Sequence, residues 1–160
     1  MNMLITEFDC TVTHAQVVVF ERLPKAYEWT GDHVAQGFLF SPGDVSFGVP
    51  DHDGVCRIQI YGNEKFVPDD LCLWAVQVPF EVSGDYIHVG TVSETRGIYI
   101  DSDNYNLTFS VYDGRVIGGD CIFLLKIFFS SDANPAFSII KKGIGITADR
   151  VLRVDADEMS

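Results

Sequence analysis

Apolar and polar residues alternate along most of this chain with a period of two, the spacing that sends successive side chains to opposite faces of a β-strand. The longest apolar run, residues 71–82, is interrupted only by Gln77, Pro79 and Glu81, which predicts a central strand buried on both faces. Beyond it Tyr86, His88 and Gly90 fall on one face and Ile87, Val89 and Thr91 on the other. Leu107, Phe109 and Val111 then oppose Thr108, Ser110 and Tyr112, so residues 71–112 read as a meander of strands. The same reasoning predicts strands at 3–8, 12–20, 45–49, 55–61 and 121–129. Residues 137–140, 144–146 and 151–154 read as short edge strands.

The segment 29–37 breaks this period. Thr30 or Asp32 can cap a helix there and Gly37 can stop it, enough for one or two turns. Turn residues punctuate the chain at 41–44, 50–54, 83–85, 93–95, 102–104, 113–114 and 118–120. Many strands, one short helix and abundant turns predict an all-β fold, either an antiparallel β-sandwich or a partly open barrel. Residues 1–154 form a single domain in this reading, with strands of the C-terminal part at 120–154 and a fraying tail at 155–160.

Composition changes the picture in one respect. The chain is 47% apolar, so it can build a core, but its 23 carboxylates face only 11 Lys and Arg, for a net charge of -12. Such a field repels nucleic acid and anionic lipid and attracts a basic protein. The cysteines, Cys10, Cys56, Cys72 and Cys121, stand far apart in sequence without a Cys-x-x-Cys pair, which favours free buried thiols in a reducing compartment. The first residues, MNMLITEFDC, lack a secretory signal, and the run 121–129 is too short for a membrane helix and contains Lys126. The expectation is cytoplasmic residence.

Motifs for catalysis and metal binding are missing from the sequence. His14, His33, His52 and His88 are scattered, and His88 reads as a half-buried sheet residue. The stretch from Asp101 begins like a calcium loop, but its sixth place is Asn106 and its twelfth Tyr112, which removes the sharp turn and the bidentate carboxylate. No Gly-x-Ser-x-Gly elbow, phosphate loop or His-Glu-x-x-His is present. Neither an enzyme nor a cofactor is expected.

Over residues 14–112 the chain resembles the competence protein J family of small bacterial proteins. The residues that carry the resemblance are His14, Val18 and Phe20; Glu28-Trp29-Thr30 with Gly37; and Gly43-Asp44-Val45-Ser46-Phe47. They continue with Val78-Pro79-Phe80-Glu81-Val82, Ile87-His88-Val89, Arg96 and Tyr105-Asn106-Leu107-Thr108. The family's best-known activity is inhibition of the competence nuclease that acts as DNA enters the cell. The resemblance therefore implies a protein inhibitor whose acidic surface occupies the basic DNA groove of a nuclease. Candidate contacts are the acidic turn residues Asp51, Asp53, Asp69, Asp70, Glu94, Asp101 and Asp103. Alternatives are an immunity-type binder of a non-nuclease partner, or a β-sandwich holding a small ligand near Trp74 or Tyr86. Edge strands near the C-terminus leave a homodimer possible.

Overall fold

The computed structural model describes residues 4–158 apart from 13, 24, 51–53, 92–93 and 119. In chain order its first strands are β1 (Leu4–Thr11), β2 (Gln16–Phe20) and β3 (Tyr27–Glu28), followed by helix α1 (Gly31–Gln36). Next come β4 (Phe38–Ser41), β5 (Asp44–Gly48), β6 (Val55–Gly62), β7 (Cys72–Val82), β8 (Tyr86–Gly90), β9 (Thr95–Tyr99) and β10 (Asp103–Asp113). A 3-10 turn at Gly114–Ile117 precedes β11 (Cys121–Ser131), β12 (Ser138–Lys141) and β13 (Asp157–Glu158).

The strands form a six-stranded sheet in the order β1-β6-β11-β10-β7-β12 and a five-stranded sheet in the order β4-β5-β2-β8-β9. A two-stranded ribbon pairs β13 with β3. Neither main sheet closes on itself, so the described strands do not make a closed barrel. The larger sheet is mixed and not purely antiparallel, because β11 runs parallel to β6. The reason is local: β11 pairs antiparallel with β10 over Tyr105 to Asp113, and this long register delivers β11 to the free edge of β6 in the same direction. Alternation alone cannot show strand direction.

The stretch 71–112 is not a simple meander. Strand β7 pairs with β10, while β8 and β9 pair with each other in the second sheet, so the chain changes sheets at 83–85 and again at 100–102. Strands β7 and β10 take partners on both edges and bury most of their residues. The face of β7 with Leu73, Gln77, Pro79 and Glu81 is partly open, however, so this strand is not buried on both faces as the sequence predicts. Strands β8 and β9 are short and keep one face polar or exposed, which suits the outer sheet position.

Side chains of both sheets meet in one core. Val17, Val19, Val45, Ile87 and Val89 pack with Ile58, Ile60, Val76, Val78, Leu107, Leu125 and Ile127, all fully buried. Phe47 of the smaller sheet stacks on Phe109 of the larger with ring centroids 4.6 Å apart. Trp74 lies in the same packing, edge-on to Phe123. The space between the sheets is thus filled with side chains. On the far face of the larger sheet, Phe66 from the loop after β6 covers Ala75, Tyr112, Leu124 and Phe128.

Helix α1 starts and stops as the sequence predicts. Thr30 is the N-cap and Gly37, at φ 81°, ends the helix in the left-handed region. The expected strand at 144–146 reduces to a single bridge between Gly143 and Ile146, and 151–154 forms no strand. Residues 151–154 instead hydrogen-bond a side chain of α1, which competes with sheet pairing for the same amides. Residues 155–158, read from sequence as part of a fraying tail, carry β13 and its pairing with β3. Among the described residues no helix is long and apolar enough to cross a membrane.

Candidate functional site: the acidic end of the sheets

Strand registers place the C-terminal ends of β2 and β7, the N-terminal ends of β5, β8 and β10, and the C-terminal ends of β9 and β11 at one end of the fold. Phe20 pairs with Asp44 and His88, Tyr86 with Tyr99, Asp103 with Val82, and Tyr105 with Ser131. Both sheet-changing links leave from this end. The residues that follow these strand ends are acidic: Glu21 after β2, Asp85 before β8, Asp101 before β10, Asp103 at its start and Asp132 after β11.

Glu21 fastens the two sheets together. Its carboxylate accepts hydrogen bonds from Ser83 N and Oγ and from Gly84 N, at 2.7–3.1 Å. Partial burial would raise its pKa, but these bonds, with the charge of Arg22, outweigh that and hold the carboxyl below its usual value. Because the folded pKa is lowered, this stabilisation is complete above the unfolded value and fades as pH falls through the folded one. Glu21→Gln should cost roughly 1.5 kcal/mol at neutral pH and little under acid conditions, read from urea unfolding at both.

Asp103 accepts from Ser131 Oγ at 2.6 Å and from Asn104 N at 2.8 Å, and these bonds lower its pKa. Asp132 accepts from Asn106 Nδ2 and Asn134 N, each at 2.9 Å. Asp85 and Asp101 differ. Only their backbone carbonyls are engaged, by Ile100 N at 3.0 Å and Tyr105 Oη at 2.6 Å. Among the described residues their carboxylates have no ion pair or hydrogen bond. Both residues line a hollow of about 240 Å³ walled also by Ile5, Gly62, Tyr99 and Tyr105.

Ion pairs elsewhere involve other acids: Asp9 with Arg57, Asp113 with Arg115, Asp149 with Lys142, Asp155 and Asp157 with Arg153, and Glu158 with Lys25. None of these pairs involves Glu21, Asp85, Asp101, Asp103 or Asp132. Asp44 also lies at the acidic end, at the start of β5. Burial pushes its carboxyl up to about 6, against the lowering effect of the Tyr27 hydroxyl 3.5 Å away.

The acids singled out from sequence therefore separate. Asp101 and Asp103 lie at this end. Asp69 and Asp70 precede β7 at the opposite end, where Asp69 Oδ1 accepts from Leu71 N and Cys72 N and shapes a turn. Glu94, between β8 and β9, is also at the opposite end, bonded through its backbone to Thr91. Asp51, His52 and Asp53 lie outside the described residues. Arg96, one of the residues that carry the family resemblance, lies over the Phe8 ring at 4.7 Å, with Asp101 beyond the far end of β9. His88 is half-buried and stacked on Phe20, a sheet residue as its alternation predicts.

Glu21, Asp85 and Asp132 were not visible as candidates in the sequence. Each abuts a strand end, a signal that becomes readable only once the sheet changes are known. The cysteines hold a second surprise: Cys10 and Cys56 are direct cross-strand partners, and Cys121 is near enough to Cys56 to act on its titration. None of the four is in a disulfide, and burial first of all pushes Cys10 up to about 11 and Cys56 up to about 12. Among the described residues no cluster of His, Cys, Asp or Glu is placed to hold a metal ion.

These features define a β-rich protein of two main sheets that gathers unpaired carboxylates at one end. The chain belongs to the Competence protein J (ComJ) family, whose family model matches residues 9–124. Among solved structures it is similar to ComJ from Bacillus subtilis, described as an inhibitor of the DNA degrading activity of NucA. That likeness has a TM-score of 0.68 at 18% identity, and covers 81% of this chain and 98% of the other. No curated protein sequence matches the chain.

Proposed function

We propose that this chain is a cytoplasmic protein inhibitor of a DNA-degrading nuclease, with no catalytic activity of its own, built on a β-sandwich-like frame. Family membership over residues 9–124 carries the reading, and the description of the Bacillus subtilis relative supports it. In mechanism, the acidic end carrying Asp85, Asp101, Asp103 and Asp132 faces the basic groove in which the nuclease holds DNA. Carboxylates there take the place of phosphates, and inhibition follows from occupancy of the groove. A filled space between the sheets, with Phe47 stacked on Phe109, counts against the ligand-carrier alternative.

The test is DNA cleavage by the NucA-type nuclease of the same organism, measured with increasing amounts of this chain at low and high salt. Inhibition should saturate near one chain per nuclease and weaken as salt rises. Exchange of Asp85, Asp101, Asp103 and Asp132 together for Asn should weaken it by roughly a hundredfold. Exchange of Asp69, Asp70 and Glu94 for Asn and Gln should leave it unchanged. Equal loss from both sets would show that the charge of the whole chain matters and not this end, and no inhibition by the wild type would refute the function.

A further inference from the structure

The acidic end adjoins a feature that net charge does not explain. Phe20, His88, Tyr86 and Tyr99 form a continuous aromatic row on the outer face of β2, β8 and β9. Phe20 stacks on His88 at 5.0 Å, His88 meets Tyr86 edge-on at 5.2 Å, and Tyr86 meets Tyr99 at 4.8 Å. The row grows more exposed towards the sheet edge, from 8% at Phe20 to 39% at Tyr86 and 75% at Tyr99. Gly97 is what lets it form. A Cβ on Gly97 would sit 1.6 Å from Tyr86 Oη, so only a bare backbone allows that ring to lie across β9. Covering this glycine accounts for Tyr86. It does not account for Tyr99, whose ring is mostly in water.

Tyr99 also walls the hollow at the acidic end, together with Asp85 and Asp101, whose carboxylates are free. An aromatic face beside two unpaired carboxylates matches one side chain above others. A guanidinium is planar, stacks on a tyrosine ring, and offers several fixed N–H donors to carboxylate oxygens, whereas an ammonium is a compact charge that gains less from the ring. Exposed tyrosines and a partner's arginine are also the residues that most often carry binding energy at protein interfaces.

We propose that the hollow walled by Tyr99, Asp85 and Asp101 is the seat of an arginine side chain of the basic partner protein, with the Tyr86 and Tyr99 rings forming the apolar part of the same contact. The identity of that partner as a nuclease rests on the inhibitor reading above; the seat itself rests on the geometry of the hollow.

Two measurements test it. In the first, blocked arginine, lysine and citrulline (N-acetyl amides) are titrated into the isotopically labelled chain while the amide signals of Tyr99, Ile100 and Asp101 are followed. Arginine should shift them most, lysine less and neutral citrulline not at all, and Asp85→Asn with Asp101→Asn should abolish the arginine shifts. No shift, or equal shifts with all three, overturns the seat. In the second, nuclease inhibition is compared for the wild type, Tyr99→Ala and Gly97→Ala, the last displacing the Tyr86 ring without altering charge. Tyr99→Ala should raise the inhibitory concentration by roughly thirtyfold and Gly97→Ala by a smaller factor, with unchanged thermal unfolding for Tyr99→Ala. Wild-type inhibition with no effect of either variant overturns the arginine contact while the inhibitor reading stands. If the wild type inhibits nothing, that reading fails, and the titration alone decides the seat.

Discussion

Gln36→Leu will destabilise the protein by roughly 3–4 kcal/mol, although leucine nearly matches glutamine in size. Gln36 is the last residue of α1 and is completely buried. Its Nε2 donates to Phe38 O at 3.0 Å and to Arg153 O at 2.7 Å, and its Oε1 accepts from Leu152 N and Arg153 N, each at 2.9 Å. One side chain thus satisfies the backbone of a segment that has no strand partner of its own. Leucine would strip two amides and two carbonyls of these partners around a side chain that is itself fully buried, and each group left unpaired costs about 1–3 kcal/mol before the structure relaxes. The C-terminal segment should loosen from 149 onwards, even though Thr147 N and Ala148 N still donate to Ala35 O. Urea unfolding gives the size of the loss, and limited proteolysis gives its location. A leucine variant as stable as the wild type would mean that the segment finds other partners.

Neighbouring α1 residues make the same attachment from a second point. His33 Nδ1 accepts from Thr30 N at 3.0 Å, which puts the proton on Nε2, and Nε2 donates to Asp155 O at 2.8 Å. One histidine therefore caps the helix and holds the tail. The family model ends at residue 124, yet this later segment supplies the hydrogen bonds of Gln36 and His33, which lie within it. The C-terminal part is integral to the fold, and the ion pair of Lys25 with Glu158 at 2.9 Å fixes its far end beside β3.

What the sequence disclosed follows from what alternation encodes. The period of two marks which residues are in strands and which face they take, so β5, β6, β7 and β11 lie within a residue or two of their expected bounds. Thr30 and Gly37 are local signals with local causes, and the helix ends where they place it. Pairing is a different matter. Whether β8 stays beside β7 or crosses to another sheet depends on which edges are free after the long strands have paired, and no short window contains that information. Strands β3 and β13, of two residues each, and β4, directly after the helix stop, are too short to show any period. The candidate site suffered for the same reason: Asp69 and Asp101 look alike as turn acids, and only the direction of β7 and β10 puts them at opposite ends.

Asp44→Asn should make the protein more stable at neutral pH, by on the order of 3 kcal/mol, and no more stable under acid conditions. Asp44 is only 7% exposed, and burial raises its carboxyl from 3.8 to about 6. The sign follows from proton binding. A raised folded pKa means that the native state holds the proton more tightly than the unfolded chain, so stability falls as pH rises from about 4 to about 6 and is constant above. Asparagine has nearly the same shape, carries no charge and keeps an oxygen for the Tyr27 hydroxyl, which also donates to Ser41 Oγ at 3.0 Å. Thermal unfolding of both proteins across this pH range should give curves that coincide at the acid end and diverge towards neutral; parallel curves would refute the assignment. The same variant separates stability from function. Ionised Asp44 adds a charge at the acidic end, directly across from Phe20 in the sheet that carries the aromatic row. If inhibition weakens as stability rises, the buried carboxylate is a stability cost that serves the field felt by the partner. If inhibition is unchanged, the field comes from the exposed carboxylates alone, and Asp44 is held for its bond to Tyr27.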